Sequence, residues 1–422
     1  MDSLTLDAAS QRSFAAPEGL VDTWPLLDLL RSLAAFAVLL GHGRYWFFAG
    51  ITETPSPSAF LRLFYFMTVL HRDAVVVFFV ISGFLIGASA WVKIKTSTFS
   101  WRKYLSARFS RIFLVYWPAL IFSVVMGVFG RALFSDPTGG IRPLFEAADT
   151  PLSMAGWICH TAGLPGFACN STTDNPALWS LGYEWTLYLA APIVFAIMLR
   201  GPGNAFRWFS LSFFLLTMVA IAVNKLEYVL WMSVWFLGAF AGRLAVTRNL
   251  HPATAAIALI LILSGLVSAH LLKLEEYVSL PPLAIGTALL VSCRKISRWS
   301  FAPRFFKWTS SWSFSLYATH SPILYVLIAA FQWAGGPSEK PAAGLLAASH
   351  SAAAVSICIG FAIIFALMTE RHTNRIRQWI ERSPPPNYPD GSDRCSISEQ
   401  CAEKYRIDLG NAANFNCGVR AK

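Results

Sequence analysis

Ten long apolar runs dominate this chain and limit what it can fold into. They span residues 26–48, 74–92, 112–134, 177–199, 206–224, 228–247, 253–272, 277–293, 311–333 and 346–369. Each is close to the roughly 20 residues that cross a bilayer as a helix. Hydrocarbon offers no partner to a backbone amide, so such runs predict helices rather than open sheets. We therefore predict an all-α polytopic membrane protein, a bundle of about ten transmembrane helices.

The basic residues predict the orientation of this bundle. Alternate gaps between the runs, counted from the N-terminus, hold 20 lysines and arginines, whereas the other set holds 8. Positive charge concentrates on the cytoplasmic side of membrane proteins, which predicts that both termini are cytoplasmic. The net charge of +11 is therefore a consequence of topology. We expect the lipid bilayer as a partner and no nucleic acid.

The ends of the chain differ from its middle. The polar composition of residues 1–23 predicts a disordered cytoplasmic arm with no cleavable signal peptide. The polar composition of residues 383–422 likewise predicts a disordered cytoplasmic tail. Residues 24–382 form the predicted transmembrane domain. The seven cysteines show no metal-ligand spacing, so we expect no metal. Cys159 and Cys169 share the longest external loop, and we predict a disulfide between them.

Two polar residues interrupt the first apolar run. Arg31 and His42 are 11 residues apart, so they lie on nearly the same helix face, about 16 Å apart along its axis. Such residues are costly in hydrocarbon and mark functional sites by default. His42 can act as a general base or an acyl carrier, or it can be a hydrogen-bonded bundle residue. Arg31 can hold an anionic group, or it can pair with Asp28.

Later runs carry further polar candidates. Glu184 can orient His42 or contact an acceptor, or it can form a structural ion pair. His320 is either functional or a packing residue, and Pro322 after it should kink or loosen its helix. Ser82 and Gly83 favour close helix approach. The basic segment 93–111 predicts an interfacial anchor. The remaining candidates are Trp179, Ser180 and Tyr317, together with Arg108 and Arg111 of that segment.

Five segments, in order, resemble the integral membrane acyltransferase family 3, whose members modify carbohydrates. They are the Arg-x10-His pair Arg31/His42, FFVISGFLIG, SARFSRIFLVYW, LWSLGYEWTLYL and SFSLYATHSPIL. The resemblance covers about residues 24–375. Each motif alone is a weak signal, but five in order on such a chain are a strong one.

The resemblance implies an O-acyltransferase of a bacterial inner membrane. Acyl-CoA, by default acetyl-CoA, would be a co-substrate rather than a bound cofactor. The acceptor would be a glycan hydroxyl of exopolysaccharide, lipopolysaccharide, peptidoglycan or an oligosaccharide. His42 would be the catalytic histidine with Arg31 as its motif partner, and Arg108 and Arg111 would lie near the CoA phosphates.

The pattern also departs from the family in three places. Phe113-Leu114 follows Arg111-Ile112 where a proline is common, Val76 replaces a common acidic residue, and Glu370-Arg371 lacks the following proline. Direct transfer and an acyl-enzyme both remain open as mechanisms. A transporter or flippase for a lipid-linked sugar or small anion is the alternative function, because intramembrane Arg and His also suit substrate pathways.

Overall fold

The computed structural model describes most of the predicted transmembrane domain. The described residues are 24–54, 56–134, 153–171, 174–199, 225–248, 250–298, 301–334, 340 and 344–382. The chain divides into two compact units, Met1–Arg377 and Gln378–Lys422. Only residues 378–382 of the second unit are described. The predicted arm 1–23 and tail 383–422 lie outside the described residues.

Helices make up the regular structure of the described residues. In chain order they are α1 Pro25–Phe47, α2 Ala59–Thr68, α3 His71–Lys95, α4 Trp101–Phe134, α5 Met154–Thr161, α6 Trp179–Leu199, α7 Leu226–Thr247, α8 Thr254–His270, α9 Glu276–Ser292, α10 Arg294–Ser297, α11 Pro303–Ser310, α12 Ser313–Trp333, α13 Leu345–Met368 and α14 Thr373–Arg382. Short 3₁₀ turns cover Ile51–Glu53, Pro176–Leu178 and Glu370–His372. The all-α prediction is confirmed for these residues. The bridge between Pro165 and Cys169 is an isolated β-bridge and not part of a strand.

Six segments of the described chain are long and apolar enough to cross a membrane. They are Pro25–Glu53, Ala59–Lys95, Trp101–Phe134, Leu226–Thr247, Ser313–Trp333 and Leu345–Arg382. Helices α8 and α9 are apolar but shorter, at 17 residues each. The predicted run 206–224 lies outside the described residues. The total of ten spans and the cytoplasmic location of the termini therefore stay predictions.

Helices α3 and α7 pack closely because glycines from both helices face each other. Gly83 and Gly87 form a GxxxG pair on α3, and Gly238 and Gly242 form one on α7. A Cβ atom on any of the four would collide with the backbone of the other helix. Small residues allow such approach in membranes, where packing rather than water drives helix association. The close approach expected at Gly83 is thus present.

Two prolines inside helices leave carbonyls that side chains from other segments take up. Pro322 cannot donate to the carbonyl of Ala318, and Asn175 Nδ2 donates to that oxygen at 2.8 Å. Pro192 leaves the carbonyl of Tyr188 in the same way, and Tyr104 Oη donates to it at 2.8 Å. The helices therefore continue through both prolines, as α12 does from Ser313 to Trp333. Satisfying freed backbone groups is what lets membrane helices contain proline.

We predict that Gly238→Ala destabilises the bundle, whereas Gly360→Ala does not. The new methyl at position 238 would meet the Val80 carbonyl on a rigid helix. Overpacking of this kind costs about 1–3 kcal/mol. Nothing lies within 4 Å of a Cβ built on Gly360, so it is the matched control. Thermal unfolding of the purified protein in detergent measures both, and equal midpoints would contradict the packing argument.

Candidate active site

Two histidines from different helices meet in the bundle. His42, on α1, has its Nδ1 atom 2.7 Å from Nε2 of His320, on α12. Their rings are stacked, with centroids 5.0 Å apart and planes 12° apart. His320 is fully buried, whereas His42 is partly exposed. Sequence spacing placed both residues inside helices, and the structure brings them into direct contact.

The surroundings of His320 determine which ring nitrogens carry protons. Its Nδ1 lies 2.8 Å from the carbonyl oxygen of Tyr317 and 3.2 Å from that of Leu316. A carbonyl only accepts, so Nδ1 of His320 carries the proton and Nε2 of the neutral ring is an acceptor. His42 must then donate from Nδ1, and its Nε2 keeps a lone pair. Nε2 of His42 is therefore the atom of this pair that can take a proton from another molecule.

A third histidine stands beside this pair. The ring of His71, the first residue of α3, is 5.2 Å from the ring of His42 between centroids. Gly41 makes this approach possible, since a Cβ there would lie 2.8 Å from both His71 Cβ and the Thr68 carbonyl. His71 was not among the residues predicted from the sequence. Its signal was the polar triplet His71-Arg72-Asp73 directly before an apolar run.

A cavity of about 810 Å³ opens beside the histidines. Its wall contains the predicted residues His42, Trp179 and Tyr317. The other lining residues are Val38, His71, Arg72, Val75, Gly166, Asn170, Ser171, Pro176, Ala177, Tyr183, Lys225, Leu226 and Glu227. The mixture of aromatic, aliphatic and polar groups suits an organic substrate that carries several polar atoms.

Charged groups near this cavity are tied together across helices. Arg72 Nη2 lies 3.1 Å from Glu227 Oε1 and 2.6 Å from Glu276 Oε2. His270 Nε2 lies 2.7 Å from Asp73 Oδ2. These contacts join the first turns of α3, α7 and α9 to the end of α8. They link α3 and α7, whose first residues line the cavity, to α8 and α9. Local sequence patterns do not predict these contacts, because the partners are more than 150 residues apart.

Ser180 and Tyr317 connect the cavity wall to the helix that carries His320. Their hydroxyl oxygens are 2.7 Å apart, and Tyr317 Oη also donates to the Ala177 carbonyl at 3.1 Å. The ring of Trp179 packs against the rings of Tyr183 and Trp231. Ser180 therefore has a structural partner, while Trp179 and Tyr317 present surface to the cavity.

Glu184 belongs to a different polar cluster from His42. Its Oε1 atom accepts a hydrogen bond from Ser82 Oγ at 2.5 Å and a short one from Tyr188 Oη. Trp235 Nε1 donates to the same Ser82 oxygen at 3.2 Å. The hydrogen bonds of the Glu184 carboxylate thus go to these two hydroxyls and not to His42. Ser82, which was also among the residues predicted from the sequence, is part of this cluster.

The predicted donor-binding arginines lie next to the Glu184 cluster. The guanidinium of Arg108 lies 5.7 Å from the ring centre of Tyr188 and 5.8 Å from that of Tyr104. Its Nε atom is buried and has no hydrogen-bond partner among the described residues. Arg111 is exposed and lies within electrostatic range of Tyr188. A buried unpartnered N–H on a cation is a suitable place for an anionic ligand.

Arg31 lies on α1 as predicted. His42 lies on the same helix, nearer the opposite end. Its Nη1 atom is 4.0 Å from Asp28 Oδ1, which accepts a hydrogen bond from Ser310 Oγ at 2.8 Å. Arg31 and Arg111 both lie within electrostatic range of Glu370. Glu370 accepts the Ser315 N–H at 2.8 Å, close to the start of α12. The pairing of Arg31 with Asp28 considered from sequence is therefore present, although it is loose.

The structure contains a disulfide between Cys159 and Cys169, with Cα atoms 6.3 Å apart. It closes the segment between α5 and the 3₁₀ turn Pro176–Leu178. No group of three or more potential metal ligands occurs among the residues that the structure describes.

Comparison with known proteins shows the family to which the chain belongs. The family model described as "Acyltransferase domain", of acyltransferase family 3, matches residues 24–378. The chain belongs to this family. It is also 29% identical over 185 residues to Acyltransferase MdmB of Streptomyces mycarofaciens, a match that covers 44% of this chain and 42% of that protein. The chain therefore spans less than half the length of this curated relative. No solved structure matches the chain.

The chain thus combines the acyltransferase family domain with helices that are long and apolar enough to cross a membrane. Among the described residues, the structure separates two polar centres. His42, His320 and His71 form the histidine centre, and Glu184, Ser82, Tyr188 and Arg108 form the glutamate centre. Sequence motifs identified members of both centres but could not show which residues share a centre.

We predict that Glu184→Ala destabilises the protein more than Glu184→Gln. Alanine leaves the Ser82 and Tyr188 hydroxyls without their shared acceptor, whereas glutamine keeps a carbonyl oxygen in place. Hydrogen bonds to charged groups contribute about 1.5–3 kcal/mol each. Thermal unfolding in detergent measures the difference. An alanine variant as stable as the glutamine variant would show that the cluster contributes nothing to folding.

Proposed function

We propose that this protein transfers an acyl group, by default acetyl, from acyl-CoA to a carbohydrate hydroxyl. His42 is the general base in this proposal. The observation that supports it is the hydrogen bond from His42 to the buried His320, which leaves Nε2 of His42 unprotonated at a cavity wall. The family assignment supports the class of reaction.

The proposed reaction moves one proton and one acyl group. Nε2 of His42 takes the hydroxyl proton as the acceptor oxygen attacks the thioester carbon. The carbon–sulfur bond then breaks, and the imidazolium returns its proton to the CoA thiolate. Hydroxyls are weak nucleophiles at neutral pH, so a positioned base accelerates this step about 10²- to 10⁴-fold. His320 maintains the tautomer of His42 through the 2.7 Å contact.

The proposed donor site uses the arginines near the glutamate centre. Arg108 offers a buried N–H without a partner, and Arg111 and Arg31 lie near one carboxylate, Glu370. Three guanidinium groups suit the phosphates of CoA, which arginine binds through paired N–H groups. The basic segment 93–111 makes this the cytoplasmic side in our proposal. The pantetheine arm would then extend toward His42.

The proposed acceptor site is the cavity beside His42. Trp179 and Tyr183 supply aromatic faces there, and polar side chains line the same wall. A sugar of exopolysaccharide, lipopolysaccharide, peptidoglycan or an oligosaccharide is the acceptor class we propose. A bacterial inner membrane is the proposed location, with this cavity on the outer side.

Replacing His42 by alanine should lower acyl transfer by at least about 10²-fold, because the base is lost. Acetyl-CoA is supplied to membranes with chitooligosaccharides, maltooligosaccharides, exopolysaccharide, lipopolysaccharide or peptidoglycan fragments, and CoA release is measured by chromatography. His251→Ala is the control, since the His251 side chain is exposed and accepts a hydrogen bond from Ala253 within its own turn. Full activity of His42→Ala would overturn the assignment. A wild-type protein that binds these glycans without CoA release would instead indicate a transporter.

Replacing Arg108 or Arg111 by alanine should raise the KM for acetyl-CoA by about 10- to 100-fold, with a smaller effect on the acceptor. Losing one charge-assisted contact of about 1.5–3 kcal/mol corresponds to this range. Arg304→Ala is the control, because Arg304 is an exposed arginine on α11, outside both polar centres. Unchanged donor KM in both variants would contradict their role in CoA binding.

A further inference from the structure

The disulfide segment, residues 159–171, forms one wall of the proposed acceptor cavity. Gly166, Asn170 and Ser171 line the same cavity as His42. Asn170 directly follows Cys169, so a covalent link to Cys159 lies one residue from the cavity wall. Neither the sequence motifs nor the family match assigns a role to these residues.

Contacts from helix α4 and from Lys225 hold this segment in place. Tyr116 Oη donates to the His160 carbonyl at 2.8 Å, and Trp117 Nε1 donates to the Thr161 carbonyl at 2.9 Å. On the other side, Lys225 Nζ donates to the Gly166 carbonyl at 2.9 Å. The segment is therefore anchored to α4 at its start and, at Gly166, to the residue that precedes α7.

Two glycines set the distance between this segment and the aromatic wall of the cavity. Gly166 has φ +79°, and a Cβ there would lie 2.9 Å from the Trp179 carbonyl. A Cβ on Gly182 would collide with the Pro165 carbonyl. The segment thus packs directly on the start of α6, where Trp179 faces the cavity. Within the segment, Gly166 N–H donates to the Cys169 carbonyl at 2.7 Å, which closes the turn before Asn170.

The amide side chain of Asn170 is exposed and lies on the cavity wall, directly after the disulfide-linked Cys169. Among the described residues its side chain forms no hydrogen bond, so both its donor and its acceptor are available. An amide beside an aromatic face matches the chemistry of a sugar, which offers hydroxyls and an apolar ring face. We infer that Asn170 is an acceptor-specificity residue and that the Cys159–Cys169 disulfide positions it. This inference rests on the proposed acyl transfer to a carbohydrate.

Asn170→Ala should raise the KM for the oligosaccharide acceptor about 5- to 10-fold and leave kcat and the KM for acetyl-CoA unchanged. This range corresponds to loss of one neutral hydrogen bond of about 1 kcal/mol. The assay uses full-length protein in membranes, acetyl-CoA, and whichever chitooligosaccharide or maltooligosaccharide supports CoA release. Asn170→Gln keeps the amide and should recover part of the affinity. Thr161→Ala, an exposed change in the same segment but outside the cavity wall, is the control.

Opening the disulfide should also raise the KM for the oligosaccharide acceptor. Cys159→Ser combined with Cys169→Ser, or dithiothreitol added to the folded wild type, should raise the acceptor KM while the donor KM stays constant. Dithiothreitol should have no further effect on the double variant. An unchanged acceptor KM in Asn170→Ala, or a parallel rise of the donor KM, would overturn the inference. Absence of CoA release from the wild type with every acceptor would instead refute the proposed function.

Discussion

Buried polar groups are costly in a bundle unless they have a partner, and the pairings that this protein supplies organise the structure around the cavity. Pro322 shows how. It leaves the Ala318 carbonyl without its helical donor, and Asn175 fills that position. Asn175 also donates to Ser123 at 2.9 Å, so one buried amide joins α4, α12 and the turn before α6. The cavity wall formed by Pro176 and Ala177 follows directly from that junction.

The same requirement determines the state of the histidines. His320 is buried and must donate from Nδ1 to a backbone carbonyl of its own helix. That donation leaves Nε2 of His320 as an acceptor, so His42 donates to it from Nδ1. Nε2 of His42 then keeps its lone pair and is available at the cavity. An unprotonated ring nitrogen thus results from a chain of hydrogen bonds that begins with a backbone carbonyl. Gly41 contributes by leaving room for His71 at the same place.

The two polar centres lie in different parts of the described bundle and differ in their chemistry. Arginines and a glutamate cluster lie near Tyr188, whereas histidines, aromatic rings and the disulfide segment surround the cavity. Helix α1 carries Arg31 and His42 near its opposite ends, so it belongs to both regions. The proposed function requires such separation, because an anionic donor and a carbohydrate acceptor on opposite sides of a bilayer would need different chemistry.

From the amino-acid sequence alone we could predict the helical class, the apolar segments, the Arg31–His42 face of α1 and the family. These follow from local periodicity and composition, which act within about 20 residues. The three-dimensional fold was needed to show that His42 contacts His320, that Glu184 contacts Ser82 and Tyr188, and that His71 and Asn170 line one cavity. These contacts join residues as far as 278 positions apart, as in the His42–His320 pair. Helix packing sets such distances, and periodicity along one helix carries no information about which face of another helix it will meet.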